Sequence, residues 1–73
     1  MSELLALLEE LEEGQQKNLM ALGRRLVPQL TEEDLLQPYD FPELEHNPHF
    51  RYEEGVLAGV RTVLMAVRAN RVL

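Results

Sequence analysis

Glu43-Leu44-Glu45-His46 carries the spacing Glu-x-x-His, and His46-x-x-His49 follows it directly. On a long helix Glu-x-x-His puts both side chains on one face, the arrangement that supplies ligands in di-iron carboxylate bundles. Here Pro42 and Pro48 confine the segment to about one turn, and no further Glu on a facing helix stands out. A single divalent ion asks for less. His46, His49, Glu43 and Asp40 offer imidazole and carboxylate donors suited to zinc and other first-row metals, with Glu53 and Glu54 close by. The plainer reading is that both histidines are capping or surface residues. A metal site needs three or four ligands and an outer shell to orient them, and this spacing is loose and broken by proline.

Arg51-Tyr52-Glu53-Glu54 places paired carboxylates beside a guanidinium, a set that occurs in active sites and small-anion sites. It occurs equally where an acidic helix start meets basic residues of a neighbouring helix, and that structural reading is preferred. Nucleophilic catalysis finds no support: Ser2 is the only serine, there is no cysteine, and no Ser/His/Asp set is recognisable. Gly55-x-x-x-Gly59 lies within a helical pattern and lacks the Lys-Ser/Thr of a phosphate loop. The residues lean away from an enzyme without deciding the question, and no cofactor is expected, a divalent metal being the alternative.

Tyr39, Phe41, Phe50 and Tyr52 are the only aromatic residues and fall together in residues 37–54. Aromatic side chains are enriched at binding hot spots, which makes these four a candidate partner-binding patch. The competing reading, preferred on the sequence, is that they plug the end of a helix pair where the aliphatic stripes run out.

Two long helices must flank this stretch. Residues 2–27 are rich in Leu, Glu, Ala, Gln and Arg, with Ser2 as cap and Pro28 as stop. Leu5, Leu8, Leu11, Leu19, Leu22 and Leu26 recur at steps of three or four, with Gln15 in the remaining place. Leu4, Leu7 and Met20 widen this stripe, which predicts burial against more than one neighbour. Gly14 interrupts the helix and predicts either a bend or a close approach by another backbone. The last helix spans residues 48–70, opened by Asn47 as cap and Pro48 at the first helical position. Its inner stripe is Phe50, Leu57, Val60, Leu64 and Val67, with Glu53 as the polar member, flanked by Val56 and Val63. Gly55, Gly59, Thr62 and Ala66 form a small-residue face that predicts a close helix crossing. In the connection, Thr31-Glu32-Glu33-Asp34 resembles a capping box and predicts a short helix over 31–37, pinned by Leu30, Leu35 and Leu36. Residues 38–47 read as irregular, with one helical turn for which Asp40 is the candidate cap.

Lengths and charges pair the two long helices antiparallel. At 1.5 Å per residue they run ~39 and ~35 Å. Residues 3–13 carry five acidic groups and no basic one, whereas Arg61, Arg68 and Arg71 occupy the last helix's second half. The same arrangement sets Arg24 and Arg25 near Glu53 and Glu54. Two helices cannot enclose a core, and 73 residues without cysteine are marginal alone. The expected architecture is all-α: one helical domain, an antiparallel hairpin with short helices in its connection, dimerising into a four-helix bundle. Leu8, Leu11, Leu19, Leu22, Leu57, Val60, Leu64 and Val67 form its core and dimer contacts.

The net charge of −6 argues against nucleic acid and anionic membranes. The apolar run 56–67 contains Arg61 and is shorter than the ~20 residues a bilayer needs. The acidic opening Met1-Ser2-Glu3 is unlike a secretory leader, so a cytoplasmic location is expected. Function is accordingly read as a small acidic interaction or scaffolding module whose partner is itself, with another protein or a larger assembly as a further partner. The alternative is a metal- or small-ligand-binding protein that uses the His/carboxylate-rich connection.

Overall fold

The computed structural model describes residues 2–70 and is helical throughout its regular elements. Helix α1 spans Ser2–Leu26, α2 is the single turn Pro42–Glu45, and α3 spans Pro48–Asn70. Two 3₁₀ turns, Glu33–Leu36 and Pro38–Asp40, lie in the connection. Asn70 ends α3, and Arg71, counted above with the basic half of the last helix, lies with residues 72–73 outside the described residues.

Local signals explain the element ends. The side-chain Oδ1 of Asn47 accepts the Phe50 amide at 2.8 Å and its carbonyl accepts the Arg51 amide, so Asn47 caps α3 while Pro48 fills the position that needs no donor. Thr31 and Asp34 exchange two bonds: the Thr31 amide donates to Asp34 Oδ2 at 2.9 Å, and the Asp34 amide donates to Thr31 Oγ1 at 3.3 Å. The box is real, but the segment it starts is a 3₁₀ turn rather than a helix over 31–37, because Pro38 ends it after one turn. Asp40 does not cap α2. Phe41 occupies that position in extended conformation, and its side chain makes no capping bond.

α1 and α3 lie antiparallel along most of their length. Arg68 Nη2 meets Glu9 Oε2 at 3.1 Å, and Arg61 Nε meets Glu12 Oε2 at 3.1 Å. Between them, Leu8, Leu19, Leu57 and Leu64 are buried. Toward the connection the core broadens: Met20, Val27, Leu30, Leu44 and Phe50 are buried there, with Leu22, Leu26, Leu35 and Phe41 packed against them. Leu30 folds back over Gly23, where an added Cβ would lie 2.5 Å from Leu30 Cδ2. A residue with a side chain at 23 would hold the connection off the helix pair.

Several expectations fail in instructive ways. Leu36 is 77% exposed and pins nothing. Leu11 is 50% exposed in the protomer, which leaves only the dimer half of the core-and-dimer role expected of it. Gly14 neither breaks α1 nor receives a neighbour: the helix continues through it, and a Cβ there would meet nothing within 4 Å. Gly55 and Gly59 are likewise open, so the expected close crossing does not occur within one chain. Arg25 does come near Glu53, the two lining one cleft, but neither Arg24 nor Arg25 forms an ion pair with Glu53 or Glu54. Arg24 Nε donates to the Leu30 carbonyl at 3.0 Å, and Glu54 is held by Arg51 one turn away at 3.2 Å. For Glu54, a partner one turn away on the same helix costs less side-chain ordering than one on another helix.

The result is thin. The Cα extents are 44 × 19 × 16 Å and the radius of gyration is 14.0 Å, against ~11 Å for a compact chain of this length. Its accessible surface of 5238 Å² exceeds the ~4,600 Å² typical of a folded monomer of the same mass.

Candidate functional site

The connection does not assemble the chemistry its sequence suggested. Among the described residues no group of three or more His, Asp or Glu side chains is placed to hold one metal ion. His46 lies 4.0 Å from Glu45, its chain neighbour, and is largely exposed. His49 lies 3.7 Å from Glu53, one turn along α3. Glu43 and Asp40 are exposed. His46 caps the end of α2 and His49 lies in the first turn of α3, and the carboxylate within 4 Å of each is a local one.

The four aromatic residues divide by type. Phe50 is 0% exposed and Phe41 is half-buried against the core, so both work as the plug, and Phe50 cannot touch a partner. Tyr39 and Tyr52 are 63% and 70% exposed. The phenol needs water or a hydrogen-bond partner, and this end of the core offers no buried polar group to meet it.

The hairpin has two unlike faces. On one, Glu9–Arg68 and Glu12–Arg61 bridge the helices, and Arg61 Nη2 also reaches Gln16 Oε1 at 3.4 Å. Leu35 and Leu36 of the connection lie over this same side, lining a cleft with Gln16, Glu54 and Arg61. On the other face, Asn18, Ala21, Leu22 and Arg25 of α1 line a shallow cleft with His49 and Glu53 of α3. Seven-residue steps continue that face along each helix, from Asn18 back to Leu11 and Leu4, and from His49 forward to Val56 and Val63. Leu4, Leu7, Leu11, Val56 and Val63 are all exposed there, with Val60 and Val67 half-buried at their edge. Because Glu9 sits beside Arg68 and Glu12 beside Arg61, residues 4–11 run alongside residues 61–68. The leucines of α1 and the valines of α3 thus form one apolar surface.

Sequence reasoning placed Leu4, Leu7, Val56 and Val63 as widening residues, but it did not distinguish the covered flank from the bare one. The signal was present as a second set of three-and-four steps on each helix, Leu4-Leu7-Leu11 and Tyr52-Val56-Gly59-Val63. A third groove, lined by Lys17, Met20, Ala21, Arg24, Glu32 and Leu35, has both charges on its walls and no convergent polar set. No helix among the described residues is long and apolar enough to cross a membrane. Compared with known proteins, the chain matches no family model, no curated protein and no solved structure.

Proposed function

We propose that this protein is a small acidic scaffolding module that works as a homodimer, two hairpins joining through the bare face into a four-helix bundle. The observation that carries the reading is the asymmetry of the hairpin. One face is closed by ion pairs and the folded-back connection, while the other leaves Leu4, Leu7, Leu11, Val56 and Val63 in water. Contiguous apolar patches of this kind mark interaction surfaces. A second copy supplies a surface of matching size and polarity, and the excess accessible area of the protomer is what a partner would cover. In this reading the dimer is the functional unit and its acidic exterior keeps it from nucleic acid and anionic membranes. Tyr39, within the connection, is the exposed aromatic contact for a further protein, while Tyr52 continues the apolar row of α3.

Sedimentation equilibrium at micromolar concentration tests the proposal. The expected mass is twice 8.4 kDa, and Leu7→Glu should return the chain to monomer with its helical circular dichroism largely retained. A wild-type chain that sediments as monomer throughout that range would rule the reading out.

A further inference from the structure

Resting on the dimer just proposed, we infer that the two hairpins stack face to face but point in opposite directions, α1 against α1 and α3 against α3 of the second copy, with the twofold axis passing beside Glu12 and Gly59.

The bare row of α1 is Leu4, Leu7, Leu11, Gly14, Asn18 and Ala21, at alternating steps of three and four. That is the spacing of a helix-pair seam. Its first half is large and its second half is small or short. Turned end for end on itself, the row puts Leu11 opposite Gly14, Leu7 opposite Asn18 and Leu4 opposite Ala21, so each large side chain meets a short one. The bare row of α3 is Tyr52, Val56, Gly59, Val63 and Ala66. Reversed, it puts Tyr52 opposite Ala66, Val56 opposite Val63, and Gly59 opposite itself. A Cβ at Gly14 or Gly59 would meet nothing within the chain, so both positions are free to receive a neighbouring helix.

One axis serves both helix pairs only if the two midpoints lie side by side in the protomer. They do. The midpoint of the α1 row falls between Glu12 and Glu13, that of α3 at Gly59, and Arg61, just beyond Gly59, holds Glu12 at 3.1 Å.

Charge selects this stacking over the one in which both hairpins point the same way. Glu3, Glu10 and Arg25 have no ion-pair partner among the described residues, and Lys17 is mostly exposed in its pair with Glu13. With α1 reversed on α1, Glu10 comes beside Lys17 of the second copy and Glu3 beside Arg25. Stacked the same way, α1 would lie on α3 of the second copy, which carries no acidic or basic residue from Gly55 to Asn70 other than Arg61 and Arg68, and those two are engaged on the opposite face. The acidic first halves of both α1 helices would then gather at one end of the bundle.

The chain has no cysteine, so introduced thiols report cleanly. Gly59→Cys should convert under mild oxidation to a covalent dimer of twice 8.4 kDa that reductant reverses. In same-direction stacking the two α3 helices lie on the bundle diagonal. Gly59→Cys would then stay uncrosslinked, whereas a mixture of Leu11→Cys and Gly59→Cys chains would link. That result, or a wild-type dimer in which neither combination links, overturns the orientation and leaves the dimer standing. A wild-type chain that sediments at 8.4 kDa overturns the dimer itself. Independently, Arg25→Glu should weaken dimerisation several-fold and Glu3→Arg added to it should restore the wild-type Kd. Failure of that recovery would count against the antiparallel α1 pairing.

Discussion

Gln15 Nε2 donates to both the backbone carbonyl and Oε2 of Glu53, at 3.1 and 2.8 Å. The polar member of the inner stripe on α1 therefore meets the polar member of the stripe on α3. A carboxylate facing a helix interface loses part of its hydration, and the amide returns some of it, while His49 stands on the other side of Glu53 at 3.7 Å. Gln15→Leu should lower unfolding stability by about 1 kcal/mol, since a bond to a partly exposed charge falls at the low end for charged hydrogen bonds. Gln15→Leu with Glu53→Leu should recover most of that loss. Urea unfolding of the two single variants and the double reads the coupling.

Glycine substitutions should split by location. Gly55→Ala adds a methyl into open space and gains helix propensity, so it should stabilise α3 by about 1 kcal/mol. Gly23→Ala drives a Cβ to 2.5 Å from the buried Leu30 side chain, and overpacking of ~1–3 kcal/mol should outweigh the same propensity gain. Thermal melts of the two variants should move in opposite directions.

The cap of α3 is expected to act as a unit with its helix. Asn47→Ala removes the acceptor of the Phe50 amide and should cost about 1 kcal/mol, whereas Asn47→Asp should be close to neutral. Equal losses in the two variants would show that the cap's oxygen is not what stabilises the turn.

Phe50 and Tyr52 should separate folding from association. Phe50→Ala empties a fully buried site and should cost ~3–5 kcal/mol, enough to unfold a chain this small at room temperature. Tyr52→Ala removes a largely exposed ring, so the protomer's helicity should persist while the dimer weakens. Circular dichroism and sedimentation of the same samples distinguish the two.

Divalent metals should leave the protein unchanged. Without three converging His, Asp or Glu ligands among the described residues, zinc or nickel has no site whose occupancy would raise the melting temperature. A rise of several degrees on adding zinc, reversed by chelator, would contradict this.

What the amino-acid order determined unaided is local. Pro28, Asn47-Pro48 and the Thr31/Asp34 box mark element ends because caps and prolines act on the residues beside them. The leucine and valine periods identify two long amphipathic helices for the same reason, and opposite charge along their halves sets them antiparallel, as Glu9–Arg68 and Glu12–Arg61 bear out. Tertiary structure alone decided which flank of each broad stripe is covered, because that depends on the side over which residues 27–47 fold back. It decided that Phe50 goes inside while Tyr52, two residues on, stays in water: a helix turns 100° per residue, so only one of them can face the core. It also decided that Gln15 finds Glu53 and that Arg24 turns to the Leu30 carbonyl. The first joins residues 38 apart in the chain and the second depends on how the connection folds back on α1, and sequence spacing encodes neither.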